Sequence, residues 1–282
     1  MSYKVQALAL RALIAAIRPL PVAWRMRVVG ALGRLLVRLV PSIRRRAEDN
    51  LALVWPEMPT AARRALALDA GNQAGRQLAS IWFSRDVARV WRDLRAEGPG
   101  LEALRAADRD GRPVIAISGH FGAFDAFRHA IRHEGLEFGA LYRVNNNPHY
   151  DPIFREGLEI AGGPILPRGR AGMRGMLRHL RSGGKFALLV DQAMEDGVEL
   201  DFLGHPARTS TAAAELALRH DAPLVPVFVP VVDGRPAVEV DEPIPPGDPA
   251  AMMAAFNDRL AARVRAHPSQ WYWFHRRWKT YR

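Results

Sequence analysis

The chain has 282 residues, 49% of them hydrophobic, which allows a sizeable buried core and excludes a disordered chain or a polytopic membrane protein. Its formal charge is +11, its pI is about 10.9, and 37 of its 40 basic residues are arginine, so an anionic partner is expected: nucleic acid, an anionic membrane surface, or an acidic protein or lipid. There is no cysteine, which excludes disulfides, a thiolate zinc site and an acyl-cysteine intermediate.

Residues 1 to about 107 read as helical. The first apolar run, Val5 to Ile17, is interrupted by Arg11 and followed by Arg18-Pro19-Leu20-Pro21. It lacks the small-residue cleavage site of a signal peptide and the roughly 20 apolar residues of a membrane span. A second run, Val28 to Val40, carries Arg27, Arg34 and Arg38 at helical spacings. With Arg25 they make two basic amphipathic helices, suited to lying on a bilayer or to packing on the rest of the chain. Residues 60–83 have the apolar period of a helix, with Thr60 as its N-cap.

From Gly111 the pattern changes. Residues 112–118 predict a short buried strand, 122–135 a helix stopped by Gly135, and 136–143 a strand. A helix at 151–160 follows, then a strand at 163–167, a helix at 171–184 and a strand at 185–190. After a loop come a helix at 210–220, a strand at 223–232, a hairpin turn at Asp233-Gly234, a strand at 236–243 and a closing helix at 249–268. This alternation predicts an α/β fold: a largely parallel central sheet flanked by helices, with a helical N-terminal region. In such sheets ligands bind beyond the C-terminal strand ends. Ser118-Gly119-His120, Tyr142-Arg143 and Asp191-Gln192 stand there and are expected to converge.

His120 and Asp125 are five apart. In one continuous helix they would diverge by roughly 140°, so they meet only if His120 lies in a turn before the helix. Gly119 and Gly122 allow such a turn. The pair would then suit general base catalysis, the carboxylate holding one ring nitrogen while the other takes a substrate proton. The spacing also suits a helix cap with a surface acid. Ser118 lacks the first glycine of a nucleophile elbow. His129 and His133 are spaced like zinc ligands, but Ala130 replaces the glutamate of a zinc protease, and a solvated helix face fits better.

The stretch "GHFGAFD" resembles the His-x4-Asp/Glu block of the glycerolipid and lipid A acyltransferase superfamily. "YRVNNNPHYDPIFRE", "LLVDQAMEDGVELDFLGHPARTST" and "PSQWYWFHRRWK" resemble, in order, three further blocks of its bacterial lipid A biosynthesis (lauroyl/myristoyl) branch. The acid is Asp125, where lipid A enzymes commonly carry glutamate. The resemblance implies an O-acyltransferase that takes an acyl chain from an acyl thioester, on acyl carrier protein, to a hydroxyl of a lipid A-type precursor. His120 is then the general base and Asp125 its orienting acid. Arg143 would hold a phosphate, a carboxylate or developing oxyanion charge. Asp191 and Gln192 would position the acceptor or nearby loops, a strand-end cap being the other reading for Asp191. Arg168 and Arg170 would contact phosphate or form a solvated basic face. No cofactor and no metal are implied.

Residues 1–45 are accordingly assigned to a membrane-associating segment and 46–282 to an acyltransferase domain, helical to about 107 and α/β from about 111. Expected partners are acyl carrier protein, anionic membrane lipid and the lipid acceptor, at the cytoplasmic face of the bacterial inner membrane and attached peripherally or monotopically. The cluster Trp271, Tyr272, Trp273, Phe274 and Trp278 suits either a membrane interface or a C-terminal core strand. A lysophospholipid or an amino-acid-containing lipid is the alternative acceptor, and a lipid hydrolase with the same dyad the alternative enzyme. Nucleic-acid binding fits the charge but has no motif behind it.

Overall fold

Ahead of the sheet, the computed structural model, which describes residues 2–279, places α1 (Tyr3–Ile17), α2 (Val22–Leu39), α3 (Pro41–Val54), α4 (Thr60–Trp82) and α5 (Ser84–Val90). Thr60 is the first helical residue of α4 rather than its cap; Pro59 stands in the cap position, and the Thr60 hydroxyl accepts from Arg63 Nη2 at 3.1 Å. Helices α2 and α4 cross backbone to backbone. A Cβ at Gly33 would lie 2.3 Å from Gly71 O, and one at Gly75 would lie 2.4 Å from Val29 O, so only glycine permits the approach. Arg25 is turned inward from α2. Its Nη1 lies 2.6 Å from Asp86 Oδ2, its Nε donates to Leu20 O at 2.7 Å, and it stacks 4.9 Å over the Phe83 ring. It is therefore a buried structural cation, not one of the lipid-facing arginines expected from the sequence. No helix among the described residues is long and apolar enough to cross a membrane.

The short strand β1 (Ala96–Glu97) and helix α6 (Leu101–Arg109) lead into the α/β part. There follow β2 (Val114–Ser118), α7 (Ala126–Ala130), β3 (Phe138–Tyr142), α8 (Asp151–Ala161), β4 (Ile165–Pro167), α9 (Arg170–Arg181) and β5 (Lys185–Leu189). Next come β6 (Val198–Phe202), β7 (His205–Thr209), α10 (Ala212–Arg219), β8 (Leu224–Phe228), β9 (Val231–Val232), β10 (Arg235–Pro236), β11 (Val238–Val240) and α11 (Pro249–Ala266). The central sheet has seven strands in the order β1-β11-β8-β2-β5-β3-β4, and every pairing is parallel except β11 with β8. The expected α/β fold, with a mostly parallel sheet behind a helical N-terminal region, is the observed one.

Strand β2 lies at the centre because it is apolar on both faces. Ile115 and Ile117 pack with Phe186, Phe228, Phe256 and Trp271, while Val114 and Ala116 pack with Phe127, Phe138 and Val225 on the other side. Each large side chain so buried contributes about 1.5–3 kcal/mol.

Three local expectations change. The helix predicted at 122–135 shrinks to α7 and a 3₁₀ turn at Ile131–Glu134, because the preceding residues spend their N–H groups on other segments: Gly122 N donates to Gln270 O and Ala123 N to Val229 O. The segment read as a loop after β5 contains the β6–β7 hairpin, turned by Leu203 and Gly204, both at positive φ. Leucine replaces the usual turn residues there, so the signal was absent. The strand at 223–232 breaks at Pro230 into β8 and β9, and the Asp233-Gly234 turn joins β9 to β10 as expected.

Most of the closing aromatics are core, while Tyr272 stays partly exposed. Trp271, Trp273 and Phe274 are buried, and Trp278 stacks on Phe202 at 5.9 Å. They form no strand, only a 3₁₀ turn at Pro268–Gln270 and an isolated bridge from Trp271 to Phe121. Arg277 is fully buried among them, with Nη1 donating to Arg208 O and Nη2 to Thr209 Oγ1, each at 2.7 Å. Burial pushes its guanidinium down to about 10.

Candidate active site

Strands β2 and β5 are parallel neighbours in register, Ser118 opposite Leu189, and Val190 N extends the ladder to Ser118 O. The residues just past the two strand ends therefore meet. His120 Nδ1 lies 2.7 Å from Asp191 Oδ1, His120 N donates to Asp191 Oδ2 at 2.7 Å, and Trp271 Nε1 donates to the same oxygen at 2.9 Å. Asp191 is wholly buried. Burial alone would raise its carboxyl, but the adjoining His120, through charge and hydrogen bonds, and more weakly His275, hold it below the ordinary carboxylate range. An ionised Asp191 only accepts, so Nδ1 carries the ring proton, and Nε2 of a neutral His120 keeps its lone pair.

The turn bearing His120 depends on Gly122, whose φ is +59 and where a Cβ would lie 1.9 Å from Val229 O. Tyr272 N donates to His120 O from the other side. Asp125, expected beside His120, is placed against Arg128 instead. It is buried, its Oδ1 accepts from Arg128 Nη1 at 3.1 Å, and among the described residues no hydrogen bond joins it to His120. Arg128, also buried, donates further to Phe138 O, Leu158 O and Gly162 O. The physical reason is that Asp125 and Arg128 face each other one turn apart across the start of α7, while the acid from the neighbouring strand reaches the imidazole first.

His275 was not singled out by sequence. Its ring stands edge-on to His120 at 4.6 Å, and its Nε2 is buried without a partner among the described residues. It sits in an irregular segment with no periodicity to mark it; its place in the His-Arg-Arg block was the only signal. Burial, then the neighbouring His120 charge, push it down to about 4. Between pH about 6.5 and 4 the unfolded chain binds this proton and the folded one does not, so stability is full above 6.5 and falls as the pH drops to 4. The loss is on the order of 3 kcal/mol. His129 and His179, also lowered by burial, act in the same direction. Thermal melting against pH should show this slope, and His275→Gln should make it shallower; an unchanged slope would refute the assignment.

One ligand atom from each of His120, Asp191 and His275 falls within 4.8 Å of the others. Both Asp191 oxygens are taken by N–H donors, and its 2.7 Å contact with Nδ1 leaves no room for a cation. The donor set fits proton handling rather than metal binding.

His120 opens into a groove of about 180 Å³. Helix α4 forms one wall with Ala70, Gln73, Ala74, Gln77, Leu78 and Ile81; Phe124, Phe154, Trp271 and Tyr272 form the other. The lining is mostly apolar. Both amide atoms of Gln77, which lines the groove, are buried without a hydrogen-bond partner among the described residues.

The remaining predicted residues lie elsewhere or apart. Gln192 follows Asp191 and is half-buried. Arg143 is exposed and donates from Nη2 to Asn146 Oδ1 at 3.0 Å. Because β3 and β4 pair with Tyr142 opposite Pro167, Arg143, Arg168 and Arg170 share the C-terminal edge of the sheet as an exposed basic strip. None of the three lines the groove. Ser118 makes only a weak 3.4 Å contact to Gly119 O. His129 is buried against Ser84 and is not on the solvated face expected.

Residues 3–280 match the family described as bacterial lipid A biosynthesis acyltransferase. The chain is 28% identical over 278 residues to the lipid A biosynthesis lauroyltransferase of Escherichia coli K12, covering 93% of this chain and 87% of the relative. It is 26% identical over 280 residues to the lipid A biosynthesis myristoyltransferase of the same organism, covering 95% and 85%. A phosphatidylinositol mannoside acyltransferase of Mycobacterium tuberculosis CDC 1551 / Oshkosh matches over 190 residues at 27% identity, covering 64% and 58%.

Proposed function

The chain belongs to the bacterial lipid A biosynthesis acyltransferase family, and on that premise we propose how this O-acyltransferase works: His120 is its general base and Asp191, not Asp125, the carboxylate that orients it. The 2.7 Å contact between His120 Nδ1 and a buried, ionised Asp191, at the mouth of an apolar groove, is the observation that carries this reading.

The donor is an acyl thioester on acyl carrier protein, its chain lying in the groove along α4. The acceptor is a hydroxyl of a lipid A-type precursor. His120 Nε2 takes the hydroxyl proton as the oxygen attacks the thioester carbonyl. Asp191 stays ionised and stabilises the imidazolium. The tetrahedral intermediate collapses, the C–S bond breaks, and the imidazolium returns its proton to the departing thiolate. Neither cysteine nor a serine elbow is present to form an acyl-enzyme, so transfer is direct within a ternary complex. Gln192 continues the acceptor side of the site. Arg143, Arg168 and Arg170 offer donors to an anionic group at the sheet edge.

Attachment to the cytoplasmic face of the inner membrane is peripheral in this reading. Leu8, Trp24, Leu32, Leu36 and Leu39 are exposed on α1 and α2 beside Arg11, Arg27, Arg34 and Arg38, the pattern of helices lying in a lipid interface.

Purified protein should be given acyl carrier protein thioester and vesicles of phosphatidylcholine and phosphatidylglycerol that contain a lipid A precursor. Protein sedimenting with the vesicles, released by high salt, and an acylated precursor in the mass spectrum are the expected results. Free fatty acid formed without acceptor would establish a hydrolase instead. Acylation of a lysophospholipid in preference to the precursor would change the acceptor, and protein that stays in the supernatant at low salt would refute the attachment.

A further inference from the structure

A second depression lies between α3 and the C-terminal block, an open cleft of about 610 Å³. Arg45 and Arg46 line it from α3, and Arg276 and Lys279 from the other side, over 200 positions away in sequence. Asp49 is the one acid in its lining, and Trp278 supplies an aromatic wall. Arg45, Arg46 and Arg276 have no ion-pair partner among the described residues. Four cations gathered from two segments repel one another, so the cleft is a standing attraction for a phosphate group.

The cleft is also tied to the catalytic histidine. Asn50, on its floor, donates from Nδ2 to Trp273 O and to His275 O at 2.8 Å, fixing the segment that carries His275. The Arg46 charge reaches Tyr272, whose ring stands 4.5 Å from His275 and 6.1 Å from His120. The cleft and the His120 site thus share the segment Trp271–Lys279 as a common wall.

We propose that this cleft is a phosphate-binding subsite for one of the two substrates, held by Arg45, Arg46, Arg276 and Lys279. The inference rests on the proposed acyl transfer for the identity of those substrates, not for the binding of phosphate. The chemistry is that of a phosphate group on a long flexible molecule, either the phosphorylated glycolipid acceptor or the phosphopantetheine arm of the donor. Arginine forks pair with phosphate in two-point contacts, and Lys279 adds a point charge.

The test uses the full chain with Arg45→Gln and Arg276→Gln combined, and Arg46→Gln alone. Arg235→Gln, on an exposed hairpin remote in sequence from both segments, serves as the control, and circular dichroism is run for each variant. Steady-state kinetics with carrier thioester and phosphorylated acceptor should show one KM raised about tenfold or more, with kcat within about twofold of the parent. Acceptor lacking phosphate, or a pantetheine thioester lacking phosphate, then identifies the source, since the variant's penalty disappears with the phosphate it had lost. Both KM values within about twofold of the parent would overturn the proposal, as would a change confined to kcat. If the parent transfers no acyl chain, the reading of its activity fails separately, and calorimetric titration with inorganic pyrophosphate decides the cleft. Binding weakened about tenfold in the double variant supports the subsite, and unchanged binding overturns it.

Discussion

His120→Ala is expected to lower acyl transfer by roughly 10²–10⁴-fold, the range for losing a general base, while the protein still melts cooperatively. Asp191→Asn is expected to fall nearly as far. Asp191 accepts three hydrogen bonds, from His120 N, His120 Nδ1 and Trp271 Nε1. An asparagine has one carbonyl oxygen to offer, and its NH₂ must face at least one of those donors. The relief available to the ring is to move its proton to Nε2, which turns the base into a donor towards the acceptor hydroxyl. The double variant should be little worse than His120→Ala, since the two residues act as one unit. Asp125→Asn is the contrast: transfer per folded molecule should stay near the parent. Single-turnover rates on the four variants check this. If Asp125→Asn matched His120→Ala in rate while remaining folded, the orienting acid would have been misassigned.

Asp125→Ala should instead appear in stability. It leaves Arg128 buried with its charge uncompensated, although three carbonyls still accept from it. Breaking a buried ion pair from one side typically costs about 3–5 kcal/mol. Urea denaturation should show that loss, with activity at low temperature and no denaturant largely retained. Arg128→Met added to Asp125→Ala should recover part of it, because the stranded charge is then gone. A single variant as stable as the parent would refute the keystone role of this pair.

The sequence showed the strands through runs such as Val114–Ser118, where an unbroken apolar stretch can only be buried on both faces. It also placed Ser118-Gly119-His120 and Asp191-Gln192 at converging strand ends, and the register of β2 with β5 brings them together. The division of labour was not legible. Asp125 is five residues from His120 and Asp191 is 71, and nearness in sequence favoured the acid that the fold does not hydrogen-bond to the imidazole. Deciding between them needs the φ of Gly122 and the direction of the following turn, which residue types constrain but do not fix. Likewise Arg25 reads as one more arginine on a basic helix; only the position of Asp86 on α5 makes it an internal cation. The tryptophans of the last block are equally amphipathic on paper whether they meet lipid or one another.

The crossing of α2 and α4 through facing glycines has a mechanical consequence. Helices whose backbones touch cannot roll or slide past each other without driving a carbonyl into a Cα, so the pair moves as a single plank. Another face of that plank is the α4 wall of the groove, at Ala70, Ala74 and Gln77. A bulky chain entering the groove therefore meets one wall with no give. The compliance must come from the opposite side, where Phe124 stands on a turn, Phe154 on α8 and the partly exposed Tyr272 on an irregular segment.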